Sequence, residues 1–193
     1  MNRKSKTNLL IKTSLMGVIA FIIMFIEAPI PFFPSFLKID LSDIPALIVA
    51  FSLGPVYGIG VELVKNLLHL LRTTTGGIGE LANFIVGISF IVPASLIYIK
   101  NKTKKSAVFG MIIGTIIMAA VGGIANYYIL IPFYSTFMPI EAIVALGSEV
   151  NKLIVDVNSL ILYAIVPFNL FKGIVLSLIT IPIYKKIAVI LHK

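Results

Sequence analysis

Asn169 and Lys172 lie three residues apart, just after Pro167, in an otherwise apolar run. On a helix that spacing puts an amide and an ammonium on one face. The amide offers donors and an acceptor, and the ammonium three donors. Together they suit the carbonyls and ring nitrogens of a flat heterocycle. Asn126 and Asn83 sit in two further apolar runs and would complete the set, with Glu80 close to Asn83 on the same helix face. Ionisable groups in such runs are costly, and they pair with one another or face a water-filled cavity. The competing reading is therefore interhelical glue closed by a Lys172–Glu80 ion pair. Glu62, Lys65, Asn66 and His69 form a second polar stripe at i, i+3, i+4 and i+7. An internal Glu62–Lys65 pair with polar neighbours accounts for it, and a proton relay built on one histidine and one carboxylate is thin. The tract Arg72-Thr73-Thr74-Thr75-Gly76-Gly77-Ile78-Gly79 lacks the lysine spacing of a phosphate-cradling loop and reads as a hydroxyl-rich turn.

The composition says what must position these groups. Apolar side chains make up 59% of the 193 residues and charged ones 12%, about half the usual share for a soluble domain. So few charges cannot dress a water-exposed surface. The chain reads as an all-α integral membrane protein forming a single domain over residues 1–193. There is no cysteine, which excludes disulfides and thiolate metal sites. The only histidines are His69 and His192, too few for a histidine-rich metal centre. The net charge of +8 is concentrated at the ends of apolar runs, as an orientation signal would be and a phosphate-binding patch would not. No Walker-type loop is present, so nothing points to nucleotide hydrolysis by this chain.

The first apolar run, Asn8 to Ala28, follows Arg3, Lys4 and Lys6 and contains Lys12. It is long and has no small residue where signal-peptide cleavage would need one, so it reads as a membrane helix. Pro29 to Asp43 carries three prolines with Lys38, Asp40 and Asp43, and reads as an ordered loop. Ile44 to Leu71 is apolar but interrupted at Gly54-Pro55. Glu80–Ile99, Ala107–Leu130 and Asn158–Ile183 follow, with lysines at 100, 102, 104, 105, 185, 186 and 193. If the chain turns at Gly54-Pro55, every lysine cluster and both termini fall in the cytoplasm. This predicts six transmembrane segments. The second, Ile44 to Leu53, is then only about 15 Å long, so the loop before it dips into the membrane from outside as a wall or lid. Counted from the cytoplasmic lysines, Asn83, Asn126, Asn169 and Lys172 rise about 20–31 Å and converge in the outer half. Pro139 to Val144 predicts a short surface helix roofing the pocket.

Leu37-Lys38-Ile39-Asp40-Leu41-Ser42-Asp43-Ile44-Pro45, Gly54-Pro55, Glu62-x-x-Lys65-Asn66-Leu67-Leu68-His69 and Gly79-Glu80-Leu81-Ala82-Asn83-Phe84 follow one another in order. With Asn126-Tyr127-Tyr128 and Pro167-Phe168-Asn169-Leu170-Phe171-Lys172-Gly173, the combination resembles the riboflavin-specific substrate-binding subunits of energy-coupling factor (ECF) transporters. The resemblance implies a six-helix subunit that captures riboflavin at its outer face, with no cofactor beyond that cargo. Related members also accept flavin mononucleotide (FMN). It implies that Asn126, Asn169 and Lys172 contact the isoalloxazine ring and that Leu37, Ile39, Asp40 and Pro45 contribute from the first loop and second-helix start. Glu80 and Asn83 either touch the ligand or support residues that do. The implied partners are a membrane coupling subunit and two cytoplasmic ATPases. The family's docking surface often includes Ala-x-x-x-Ala on the first helix; here the nearest small-residue pair is Thr13-x-x-x-Gly17.

Three other readings compete. A subunit of the same kind for another vitamin would share the polar set. A small membrane enzyme would need an acid–base pair, for which Glu62 with His69 is the candidate. A self-sufficient carrier would show an inverted repeat or a polar path through both halves of the bilayer, and no repeat is detectable.

Overall fold

A computed structural model describes residues 3–191; His192 and Lys193 lie outside them. The architecture is helical, with α1 (Arg3–Met24), α2 (Asp43–Leu53), α3 (Pro55–His69), α4 (Ile78–Asn101) and α5 (Lys104–Ala125) in chain order. Short helices α6 (Ile131–Tyr134), α7 (Ile140–Ser148) and α8 (Val157–Leu160) lead into α9 (Val166–Leu191). Four stretches among the described residues are long and apolar enough to cross a membrane: Lys6–Met24, Ile78–Asn101, Lys104–Tyr134 and Val157–Ile187. The last two run a few residues further than the sequence predicts, and each contains a one-turn π segment, Asn126–Leu130 joining α5 to α6 and Ile161–Ile165 joining α8 to α9. Each π turn ends two residues before a proline, Pro132 or Pro167. Proline donates no N–H and its ring crowds the carbonyl four residues back; a widened turn absorbs both effects without ending the helix.

The interruption at Gly54-Pro55 is a true break. Gly54 has φ +111°, a conformation only glycine takes readily, and Pro55 opens α3 at a position where a missing N–H costs nothing. The short α2 lies at the centre. Every residue from Asp43 to Phe51 is buried, as expected for a helix apolar on all sides, and α1, α3, α4 and α9 pack around it. Lipid tails are as apolar as leucine, so close packing rather than exclusion of water holds such helices together. A Cβ on Gly110 would lie 2.5 Å from the Ala94 carbonyl oxygen, and one on Gly114 the same distance from that of Phe90. Those glycines therefore serve the α4–α5 contact inside the subunit. The same is true of Thr13 and Gly17. A Cβ on Gly17 would meet Val64 Cγ1 at 2.5 Å, and one on Gly60 would meet Thr13 Cγ2 at 2.9 Å. The Thr13-x-x-x-Gly17 pair thus seats α1 on α3 and is not an outward docking face.

The first loop folds back on itself. β1 (Ala28–Pro29) pairs antiparallel with β2 (Lys38–Ile39), and Lys38 Nζ meets Glu27 Oε1 at 2.5 Å across the base. Leu37 and Asp40 are driven inward, 8% and 7% exposed. Leu37 packs in a second apolar cluster with Ile131, Ile143, Ile154, Leu160 and Phe168. The short helix expected after Pro139 is present as α7 and belongs to that cluster through Ile143.

Candidate ligand cavity

Between the first loop, α4, the π segment after α5, α7 and the start of α9 lies a cavity of about 710 Å³, within the range of small-molecule sites. Asn126, Asn169 and Lys172 line one side, Leu37 and Asp40 the loop side, and Glu80 and Asn83 the α4 side. Seven of the nine residues singled out from the sequence therefore share one space. Ile39 and Pro45 do not line it. Ile39 packs against the apolar cluster that contains Leu37. Pro45 is buried in the first turn of α2.

The polar groups are held by local geometry. Asn126 Nδ2 donates to the Gly122 carbonyl at 2.8 Å, and Asn169 Nδ2 to the Ile165 carbonyl at 2.9 Å. A carbonyl can only accept, which fixes each amide with its nitrogen toward its own helix and leaves Oδ1 to accept. Gly122 makes this possible for Asn169, since a Cβ there would come within 2.7 Å of Nδ2.

Lys172 Nζ reaches Asp40 Oδ2 at 3.0 Å and Asp43 Oδ2 at 2.9 Å. Burial alone would push the Asp40 carboxyl up, but the Lys172 and Lys65 ammonium groups and the Ser42 hydroxyl together outweigh it and hold that group below the usual carboxylate range. Asp40 also accepts from the backbone N–H of Ser42 at 2.9 Å and from its hydroxyl. Asp43 extends the network, because its Oδ1 takes Lys65 Nζ at 2.6 Å, and Lys65 in turn meets Glu62 Oε2 at 2.7 Å. The Glu62–Lys65 pair is present as the stripe suggested, but it is one end of a five-residue chain that reaches the cavity.

The Lys172–Glu80 pair that the glue reading required does not form. Glu80 instead accepts from Thr73 Oγ1 at 2.9 Å and Thr75 Oγ1 at 3.2 Å, with His69 Nδ1 at 2.8 Å. This uses the hydroxyl-rich turn, which closes around the start of α4. It also pairs His69 with Glu80 and not with Glu62, the partner that the enzyme reading gave it. Sequence reasoning missed Asp43 as the link between the two lysines; its signal was an isolated acid opening an entirely apolar helix. It also missed the apolar wall from Tyr134, Ile143, Leu160 and Phe168, which nothing distinguishes from ordinary core in the sequence.

Residues 8–184 match the family described as the ECF transporter, substrate-specific component. The chain is 41% identical over 193 residues to the riboflavin transporter RibU of Staphylococcus aureus (strain TCH60), covering 97% of each. It is 34% identical over 185 residues to the riboflavin transporter FmnP of Bacillus subtilis (strain 168), covering 94% of this chain and 93% of that one. Among solved structures, one described as the S component of a bacterial ECF transporter superposes with a TM-score of 0.76 at 38% identity, over 97% of this chain and 99% of that chain. ThiT from Listeria monocytogenes shares the fold, with a TM-score of 0.63 at 17% identity over 94% of this chain and 96% of that one. The chain is a multi-pass membrane protein, not an enzyme, and belongs to the substrate-specific components of ECF transporters.

Proposed function

We propose that this protein captures riboflavin at the outer face of the cell membrane, as the substrate-binding subunit of an ATP-driven ECF importer. One observation carries the reading: a cavity of ligand size sets a buried ammonium, Lys172, beside two fixed amide acceptors, Asn126 and Asn169, against an apolar wall. A flavin ring matches that set, having carbonyls to accept from Lys172, an imide N–H to donate to an amide oxygen, and flat apolar faces. The names of the relatives at 41% and 34% identity support the same cargo.

In this reading six segments cross the bilayer, with both termini in the cytoplasm and the cavity opening outward. Asp40 and Leu37 close it from the loop side, and Glu80 and Asn83 from α4. The energy for import comes from a membrane coupling subunit and two cytoplasmic ATPases, since this chain carries no nucleotide-binding loop.

The test is the visible spectrum of the protein purified from cells in mild detergent without added ligand. Flavin bands at about one flavin per chain, released on denaturation, are the expected result. A colourless preparation that also fails to quench added riboflavin fluorescence refutes the assignment. Titrating FMN beside riboflavin then decides whether a phosphate on the ribityl end is tolerated.

A further inference from the structure

Within the linked network that runs from Glu62 to Asp40, the charges do not balance; Glu80 stands apart from it, paired with His69. Asp40, Asp43 and Glu62 supply three carboxylates, while Lys65 and Lys172 supply two ammonium groups, and all five are less than a tenth exposed. Three carboxylates against two ammonium groups leave one negative charge in excess. The excess has a location. Lys65 takes one oxygen of Glu62, Oε2, at 2.7 Å, while Oε1 is buried without a partner. Two more buried oxygens on the packed helices α3 and α4 lack a donor, Asn66 Oδ1 and Asn83 Oδ1.

The residues that carry them sit on facing turns of α3 and α4. Asn66 is one helical turn from Glu62 on α3, and its Nδ2 donates to the Glu62 carbonyl oxygen at 2.9 Å and lies 3.5 Å from Glu62 Oε2. Both of those atoms only accept, so the amide is not free to reverse, and Oδ1 must be its unpartnered side. Across from them on α4, Gly87 makes room for the carboxylate, since a Cβ there would fall 2.7 Å from Glu62 Oε2 and 3.4 Å from Oε1. Asn83 is one turn before Gly87 on the same face of α4 and also lines the cavity.

Each of these oxygens wants a donor or a positive charge. A water molecule could donate to two of them, leaving the third oxygen and the excess charge. A proton on Glu62 would remove the charge but could serve only one amide oxygen. A small hard cation answers both, because carboxylate and amide carbonyl oxygens are its preferred ligands. One net negative charge matches one positive charge.

We propose that Glu62, Asn66 and Asn83 form a site for a monovalent cation of the sodium class, reached through the ligand cavity past Asn83. The site would bind its ion whether or not the cavity takes a flavin, so its test does not depend on the cargo.

The experiment is thermal unfolding of the detergent-solubilised protein, free of riboflavin, as sodium chloride replaces choline chloride at constant ionic strength. The unfolding midpoint is expected to rise with sodium and to saturate. In Glu62→Gln, which keeps shape but removes the charge, the rise should disappear. In Asn83→Ala it should need at least tenfold more sodium. Equal midpoints in sodium and choline for the wild type overturn the proposal and assign the oxygens to water or a proton. A sodium response that survives unchanged in both Glu62→Gln and Asn83→Ala also overturns it, by placing the ion elsewhere. Should Glu62→Gln fail to fold, the Asn83→Ala titration decides alone, because Asn83 is only partly buried and holds none of the charged network.

Discussion

Lys172 is the residue whose removal separates the ligand-binding role from the purely structural one. Its ammonium is shared between Asp40 at 3.0 Å and Asp43 at 2.9 Å, and it also lines the cavity. In Lys172→Met the apolar stem is retained and only the charge and donors are lost. Asp43 keeps Lys65 at 2.6 Å, and Asp40 keeps both bonds from Ser42. Neither carboxylate is left bare, so the stability loss should fall below the roughly 3–5 kcal/mol typical of breaking an isolated buried pair. Riboflavin, by contrast, loses a hydrogen bond to a charged donor, worth about 1.5–3 kcal/mol, or about 10- to 150-fold in Kd. The assay is quenching of riboflavin fluorescence on titration with the variant, beside its thermal unfolding midpoint without ligand. Asp40→Asn is the companion variant. If the ligand draws on the same ammonium that Asp40 holds, weakening that competitor should leave the affinity unchanged or tighten it. An unchanged Kd in Lys172→Met, with a lowered unfolding midpoint, would refute the reasoning and reduce Lys172 to a strut between the loop and α2.

Asn126→Ala and Asn169→Ala should each remove one fixed acceptor, costing about 0.5–1.5 kcal/mol, read as a two- to twelvefold rise in the riboflavin Kd with little change in unfolding temperature. Gly122→Ala places a methyl within 2.7 Å of Asn169 Nδ2, so it should weaken binding about as much as Asn169→Ala. The double variant should be no worse than the single ones, because both act through one side chain. Gly54→Ala forces an L-residue to φ +111°, and it should lower the unfolding midpoint while leaving the Kd of the folded fraction unchanged. The Asp40 carboxyl is held below its ordinary value of 3.8, so its contribution to stability is complete above that pH. It is lost only as the pH falls through the lowered folded value; an unfolding midpoint that Asp40→Asn makes less sensitive to acid below about pH 4 would show this.

Much of the fold could be read from the sequence because membrane insertion punishes charge so strongly. Apolar runs, lysines at their ends and the Gly54-Pro55 break give the helices directly, and counting residues from the lysines brings Asn83, Asn126, Asn169 and Lys172 into the same outer half. What could not be read is which polar group each one chooses. Lys172 and Glu80 both fall in the outer half and carry opposite charges, so a pair between them was a fair inference. It fails because Thr73 and Thr75, in a turn that looks like a mere connector, reach Glu80 first, with His69 beside them. The direction a side chain takes around a helix depends on its rotation, and axial depth says nothing about that. The π turns were invisible because their cause, a proline two residues later, more often marks a kink or a helix end.

Asp43 shows why site and fold cannot be read apart in this protein. As the first residue of α2, its carboxylate sits at the positive end of the helix dipole, which is reason enough for an acid to open a helix that is otherwise entirely apolar. From that position it holds Lys65 on one oxygen and Lys172 on the other. One of those lysines is wholly buried and the other faces the cavity. A ligand that engages Lys172 therefore bears on the same carboxylate that anchors the central helix to α3. The Lys172 ammonium is held by Asp40 on the loop side of the cavity and by Asp43 at the head of the central helix, so under the proposed function occupancy of the cavity would be felt by both elements through a single nitrogen. That arrangement would let a small neutral ring influence charged groups it never touches, and it makes Asp43, which does not line the cavity, the position at which a substitution should damage folding and binding together.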